Sequence, residues 1–460
     1  MLYRIDDTRI MHHAQLALVG FLFAWMGGGD VQVLRPSNLS SWIEEMTWIQ
    51  PFKPIVLSPT PETDAIAQRY LAAIDDLGFA RQEQGIWLQV GNDVVLDHEG
   101  TTPLSAASLT KIATTLVALD EWGPDHRFAT VLATTGPVEN GVLQGNLIIQ
   151  GDGDPFFVWE EAIVLGNALN QAGITQVAGD LVVVGNFVMN YETDPLVAGE
   201  LFVQALNSQD WDGEVADQYA RLPEDTPKPT VAIAGSVTAA WQMPTRAVPI
   251  LQRDSLPLSQ ILKAMNIYSN NTMSEVMAEA LGGADVVAER AAAIAGVPGE
   301  EIQLINGSGL GEENRVSPRA SVAMLIAIQR DMQETQLTVS DLFPVAGRDE
   351  GTLLSRDLPT LAAVKTGTLN QVSALAGAFP TQRGVVWFAL INRGWDLDSF
   401  RQQQDVLLQQ VLAEWDPVAI APRELRPDNT ENPEDLLGAP ERTKRLTETA
   451  QTADSNTLEF

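Results

Sequence analysis

Between Leu361 and Trp395 the chain reads LAAVKTGTLNQVSALAGAFPTQRGVVWFALINRGW. Three apolar runs follow one another, parted only by polar turns at Leu369-Asn370 and at Thr381 to Gly384. A parallel crossover needs a dozen residues or more, so connections this short join antiparallel neighbours. Any fold for this chain must therefore be built around an antiparallel sheet near its C-terminal end. A helix over Ser399 to Trp415 follows it directly.

The rest of the chain is organised around that sheet. Thr60 to Leu77 reads as a helix, with an early proline, acids in the first turn and a closing glycine. QGIWLQVGNDVVLDHEG, from Gln84, is a hairpin split at Gly91-Asn92-Asp93. A helix starts near Ser108 and runs to about Trp122. From about 125 to 250 the pattern changes to short β-runs between glycine turns, with one helix at Val158 to Ala172, which predicts a mostly β insert. Helical periodicity returns at Pro257, broken briefly at Ser269 to Asn271. The tail beyond Pro417 is rich in Pro, Asp, Glu, Asn and Thr and is expected to be disordered.

With 460 residues and 45% hydrophobic content, the chain can bury a large core in two or three domains. Its 60 acidic residues against 28 basic ones give a net charge of −32, which repels phosphate backbones and excludes nucleic acid as a first reading. The absence of cysteine removes disulfides, zinc-thiolate sites and thiol nucleophiles. The four histidines, His12, His13, His98 and His126, make a histidine-rich metal site a poor reading. Leu16 to Met26 is an apolar run of signal-peptide length, too short for a comfortable membrane span. Arg4 and Arg9 precede it, Asp6 and Asp7 weaken the pattern, and no Ala-x-Ala site follows. Export, or membrane association through this segment, is the expectation, with a buried N-terminal helix as the alternative.

The chain has only six lysines: Lys53, Lys111, Lys228, Lys263, Lys365 and Lys444. Two of them sit in motifs that bear chemistry. Ser108 and Lys111 are three apart on a helix, so they share a face. A serine hydroxyl needs a base within hydrogen-bond reach to act as a nucleophile. Lysine serves as that base only when neutral, which burial and a second cation promote, and Lys365 can supply the cation. Taken alone, Ser108 reads equally well as a helix cap, Ser269-Asn270-Asn271 as a capping turn, and Lys365-Thr366-Gly367-Thr368 as an ordinary strand end. Taken together, Ser-x-x-Lys, Ser-x-Asn and Lys-Thr-Gly occur in order on a helix, an inter-helix loop and a strand, the arrangement of penicillin-binding proteins and class A β-lactamases. Asp152 and Asp154 in GDGDP read as a turn rather than a calcium loop, and His126 as structural.

The likeness extends beyond the three motifs. ASLTKIATTLVALDEWGPDHRF, GNLIIQGDGDP, NGSGLGEENRVSP, FPVAGRDEGTL and AVKTGTLNQVSALAGAF resemble, in order, blocks of the D-alanyl-D-alanine carboxypeptidase/endopeptidase family, the type-4-like, low-molecular-mass class C penicillin-binding proteins, over roughly residues 85 to 395. The resemblance implies an α/β (α+β) transpeptidase/β-lactamase-like domain, with a central antiparallel sheet flanked by helices and an inserted domain. Its boundaries would be 60–125 and 250–416 for the catalytic domain and 126–249 for the mostly β insert. Residues 1–29 would be the signal or tether, 30–59 a connector and 417–460 the acidic tail.

The resemblance also assigns roles. Ser108 is the implied nucleophile and Lys111 its base. Ser269 relays a proton to the leaving amine with Lys365 tuning it, and Asn271 orients Lys111 and the substrate amide. Thr366 and Thr368 hold the substrate carboxylate, and Gly367 lets the strand approach closely. The backbone N–H groups of Ser108 and Thr368 form the oxyanion hole. The implied activity is cleavage of peptidoglycan stem peptides outside the cytoplasm, in the periplasm or cell envelope, by a carboxypeptidase with endopeptidase action as an addition. β-Lactams would acylate Ser108, and no cofactor or metal is implied. An esterase or β-lactamase-like hydrolase of the same fold and a non-catalytic wall-binding protein stay as alternatives. One departure stands out: Glu312 occupies a position where family members acting on diaminopimelate-type peptides tend to carry arginine, and Gly185 and Asn186 replace an acid before Phe187. Arg315 or Arg319 is the candidate to compensate.

Overall fold

Local chemistry starts the first helix, Pro61–Asp76 (α1). Thr60 Oγ1 accepts the Thr63 N–H at 3.2 Å, Thr63 Oγ1 accepts the Thr60 N–H at 2.9 Å, and Pro61 sits where a missing N–H costs nothing. The computed structural model describes residues 56–57, 59–428 and 432–446, so the apolar N-terminal run and most of the 30–59 connector lie outside the described residues. Among the described residues no helix is long and apolar enough to cross a membrane. Gln84–Val90 (β1) and Asp93–His98 (β2) pair antiparallel as the hairpin expected from sequence. The next helix, Thr110–Trp122 (α2), is entered through a 3-10 turn at Ala107–Leu109. Ser108 lies inside that turn and makes no capping bond, which removes its reading as a cap.

The region after α2 corrects the expectation of a mostly β insert. Ala129–Thr134 (β3), Leu147–Asp152 (β4), Leu181–Asn186 (β5), Val237–Ala240 (β6) and Val248–Asp254 (β7) join one sheet. Three helices accompany them: Trp159–Gln171 (α3), Pro195–Leu206 (α4) and Gly213–Tyr219 (α5). β5 runs parallel to both β4 and β6, and parallel neighbours require crossover segments, which here contain α3 and α4. The buried faces of these helices, with Phe202, Leu206, Ile163 and Leu165, pack on Leu147, Ile149, Leu181 and Val183 as a separate core. β7 pairs antiparallel with β3, so a boundary at residue 250 would cut through a strand of this sheet.

Beyond β7 the chain returns through Leu258–Tyr268 (α6), Asn271–Ala280 (α7), Ala284–Ala295 (α8) and Pro318–Asp331 (α9). Ala363–Leu369 (β8), Val372–Thr381 (β9) and Gly384–Arg393 (β10) then form the antiparallel meander. The first turn falls one residue later than the sequence suggested, because Leu369 still pairs with Val372. Leu397–Trp415 (α10) follows. β10 pairs with β1, giving a six-stranded sheet in the order Val56–Leu57, β2, β1, β10, β9, β8. Side chains of successive residues point to opposite faces. Ala374 and Ala376 therefore pack with α2 and α9 on one face, while Val364 and Leu375 pack with α1 and α10 on the other. β8 is left at the edge of the sheet, where its free side can meet a ligand.

The expected disordered tail is ordered over 417–428 and 432–446. Thr443–Arg445 (β11) pairs antiparallel with β7 at the edge of the insert's sheet. Arg442 is buried and donates to Glu161 of α3 at 2.7 and 2.8 Å, and Arg253 of β7 reaches the same carboxylate at 2.6 Å. Gly438 N–H adds a further bond to it at 2.9 Å. Composition hid this because the tail offers few apolar side chains, among them the buried Leu425, and is held besides by a buried ion cluster. Residues 447–460 lie outside the described residues.

Candidate active site

The three motifs meet where α2, α7 and the edge strand β8 converge. Ala107, just before Ser108, has a φ of +47°, a left-handed conformation that costs a non-glycine residue about 1–3 kcal/mol and is typical of functional turns. Gly309 packs against this turn, and a Cβ there would collide with the Ala107 carbonyl. Gly367 brings β8 close from the other side: a Cβ on it would sit 2.8 Å from Ala106 O and 3.2 Å from Ala107 Cβ. The turn that carries Ser108 is thus clamped between two glycines.

Lys111 is fully buried on α2. Its Nζ lies 3.1 Å from Ser108 Oγ, 2.8 Å from Asn271 Oδ1 and 2.7 Å from the Ser308 carbonyl. A neutral amine has two protons and one lone pair. It can donate to Asn271 and Ser308, which have only acceptor atoms there, and keep its lone pair for the Ser108 hydroxyl. Burial lowers the Lys111 pKa to about 7, against an opposing pull from the negative charge of Glu275. The amine is therefore available as a base near neutral pH.

Lys365 is also fully buried and donates to Ser269 Oγ at 2.9 Å and to the Thr366 carbonyl at 2.8 Å. Burial, and then the charge of Lys111, hold its pKa well below the ordinary lysine value. Ser269 reaches it because this residue ends α6 in the left-handed conformation, with φ 52°. Asn270 then caps α7 by accepting the Met273 N–H at 3.0 Å, which sets Asn271 at the first helical position, facing Lys111. The structure thus brings Ser108, Lys111 and Asn271 into one bonded group, and Ser269 and Lys365 into a second beside it. Thr366 and Thr368 fall on the opposite face of β8 from Lys365, toward α10.

Four contributors were missed in sequence. Glu275 accepts the Gly307 N–H at 3.0 Å and the Ser308 N–H at 3.1 Å, so it aims the Ser308 carbonyl at Lys111. It lies four residues after Asn271, on the same face of α7, and that spacing was the available signal. Thr114 and Ser274 fix the same loop through the Gly307 carbonyl, at 2.8 and 2.7 Å. Arg393, at the end of β10, donates to Glu312 at 3.0 Å and so neutralises the acid that stands in an expected arginine position. The two suggested compensating arginines do otherwise: Arg319 is bound to Glu301, and Arg315 is an exposed residue of a two-residue strand. Asp152 accepts the Ala129 N–H, Asp154 accepts the Phe156 N–H, and His126 stacks on Trp122 and meets Phe128 edge-on. All three serve the fold.

A nucleophilic hydroxyl, a base tuned to neutrality, a second hydroxyl on a second lysine and a free strand edge can together perform acyl transfer through a covalent ester. Comparison with known proteins agrees. The chain is 23% identical to the D-alanyl-D-alanine carboxypeptidase DacB of Haemophilus influenzae, over 65% of this chain and 83% of that protein. It is 25% identical to the D-alanyl-D-alanine carboxypeptidase of Actinomadura sp. (strain R39), over 72% and 82% respectively. Its fold resembles that of the penicillin G-acylated predatory endopeptidase Bd3459 of Bdellovibrio bacteriovorus, with a TM-score of 0.66 at 22% identity, covering 79% of this chain and 99% of that one. Residues 73–188 and 210–413 match the D-Ala-D-Ala carboxypeptidase 3 (S13) family, and the chain belongs to that family.

Proposed function

We propose that this protein is a serine-type D-Ala-D-Ala carboxypeptidase acting on peptidoglycan stem peptides, and that Ser108 forms the acyl-enzyme. The observation that carries the reading is the buried Lys111 amine, 3.1 Å from Ser108 Oγ and held by two acceptors, Asn271 Oδ1 and the Ser308 carbonyl. Ser108 Oγ attacks the carbonyl carbon of the penultimate D-alanine as its proton passes to Lys111. The Ser108 and Thr368 N–H groups take the developing oxyanion, where losing one donor typically costs about 100- to 1000-fold in rate. As the C–N bond breaks, Ser269, bonded to Lys365, relays a proton to the leaving amine: its hydroxyl proton goes to the nitrogen and is replaced by the one Lys111 took from Ser108, which leaves Lys111 neutral again. Water then hydrolyses the ester and releases the shortened peptide.

The same chemistry cuts a D-alanyl cross-link, so endopeptidase action is an extension of this site. A β-lactam presents an amide of the same kind in a strained ring and acylates Ser108 in place of substrate. A peptidoglycan substrate supports a location in the cell envelope, outside the cytoplasm. Purified protein incubated with a diacyl-Lys-D-Ala-D-Ala tripeptide should release D-alanine in stoichiometric amount with the dipeptide product, and Ser108→Ala should reduce the rate by at least about 1000-fold. Equal release by Ser108→Ala would remove Ser108 from the mechanism.

A further inference from the structure

A third lysine is held inside the protein, and the mechanism above does not use it. Lys263 of α6 has 18% of its side chain exposed and precedes Ser269 on the same helix. Its Nζ donates to the Ser340 carbonyl at 3.0 Å, the Phe343 carbonyl at 2.5 Å and the Asp349 carboxylate at 2.6 Å. An ammonium has three N–H groups, and here each finds an acceptor. Burial lowers the Lys263 pKa, and the bond to Asp349 opposes that shift. All three acceptors lie in one segment, 340–349. One side of this segment lies on α6: buried Asn266 donates to the Leu342 carbonyl at 2.9 Å, and just beyond the segment a Cβ on Gly351 would sit 2.6 Å from the Ile267 carbonyl. The other side covers the start of β8. The Pro344 carbonyl accepts the Val364 N–H at 2.9 Å, Val345 pairs with Ala363, and the Ala362 carbonyl accepts the Ala346 N–H at 2.8 Å. Asp349 joins the two sides, because the oxygen that receives Lys263 also receives the Val345 N–H, at 2.8 Å. Lys365 is the next residue of β8 after Val364.

We propose that Lys263 is a positioning residue, which through Asp349 holds α6 against the start of β8 and so keeps Ser269 on Lys365. The proposal rests on the peptidase reading above and on the relay it gives to Ser269. The two members of that relay stand on different elements: Ser269 ends α6, and Lys365 lies in β8. Their bond of 2.9 Å tolerates little drift, since a hydrogen bond is lost by about 3.6 Å. Ser108 and Lys111 are less open to such drift, because they lie three residues apart in one stretch at the start of α2. Removing the Lys263 amine leaves two carbonyls and a carboxylate short of a donor, and the segment that bridges α6 and β8 loses its anchor on the helix. Proton delivery to the leaving group is then impaired, while attack by Ser108 stays in place.

The test uses the leaving group. A peptide ending in D-Ala-D-Ala loses an amine, which must gain a proton as the C–N bond breaks. Its analogue with sulfur in place of the scissile nitrogen loses a thiolate, which departs as the anion. Both pass through the same acyl-enzyme, so kcat/KM for each reports acylation. Ser269→Ala sets the scale: it should slow the amide by about 100-fold or more and the thioester far less. Lys263→Met and Asp349→Ala should each lower kcat/KM on the amide by about 10- to 100-fold and on the thioester by less than about 3-fold. The double variant should lose little more than either alone, and Lys263→Arg should recover part of the loss. A merely structural role would lower both substrates together, through the fraction of folded chains. Equal losses on the two substrates, or none, in Lys263→Met and Asp349→Ala overturn the proposal and leave the Ser269 relay standing; Asp349→Ala decides alone where Lys263→Met does not fold. Equal losses in Ser269→Ala remove the relay and this inference with it. A wild type that cleaves neither substrate and takes no penicillin overturns the peptidase reading as well.

Discussion

At Lys111 three oxygens converge on one buried amine, two as acceptors and the Ser108 hydroxyl at its lone pair, and the pH dependence of the enzyme follows from that. In the proposed mechanism the base works unprotonated, so kcat/KM should rise as pH increases through about 7 and fall about tenfold per unit below it. Glu275 from α7 is the charge that favours protonation of Lys111, while Lys365 of β8 is itself held below the ordinary lysine value by burial and by the charge of Lys111. Glu275→Gln keeps a hydrogen-bonding side chain but removes the negative charge, so the acid limb should move to lower pH. A pH profile of penicillin acylation measures the shift, and an unchanged midpoint would mean that Glu275 is only a loop anchor. At this scale much was legible in sequence. Ser108, Lys111, Ser269, Asn271 and Lys365 lie in short motifs whose spacing is itself the signal. Lys263 was not legible, because nothing local links it to Asp349; the packing of the 340–349 segment on α6 makes that contact.

Among the elements, the helix α1, the β1–β2 hairpin, α2 and the β8–β10 meander were readable because each carries its own start, stop or turn signal. α4 and α5 were missed because they stand among glycine-spaced apolar runs that mimic short strands, and only the parallel pairing of β4, β5 and β6 reveals that crossovers are needed. β11 was missed for a different reason. Its attachment depends on Arg442 and Arg253 sharing the buried Glu161 carboxylate, and hydropathy reads all three as surface residues. Burial alone would raise the Glu161 pKa, but the two guanidiniums outweigh it and hold the group at about 2. That stabilising contribution is present above the ordinary carboxylate range and is lost as pH falls toward 2. Arg442→Ala leaves a buried charge cluster short of one partner and should destabilise the protein by about 3–5 kcal/mol. Urea unfolding at neutral pH would show this as a lower midpoint, whereas a change below about 1 kcal/mol would mean that the tail is held by its strand pairing and its other contacts, such as buried Leu425, without the Arg442 pair.

Across the whole molecule, two cores divide the labour. The central sheet with α2, α7 and α9 holds Ser108, Lys111 and Asn271, while the insert and the returning tail form a second body with its own apolar interior. The net charge of −32 makes the surface strongly acidic. The central claim is that Ser108 is an acylatable nucleophile activated by Lys111. The most direct measurement is intact mass of wild type and of Ser108→Ala after incubation with a fluorescent penicillin, followed by peptide mapping. The account predicts one adduct per chain on the wild type, mapped to Ser108, and none on the variant. An adduct that persists in Ser108→Ala, or a wild type that neither takes the label nor hydrolyses the lactam, would contradict it.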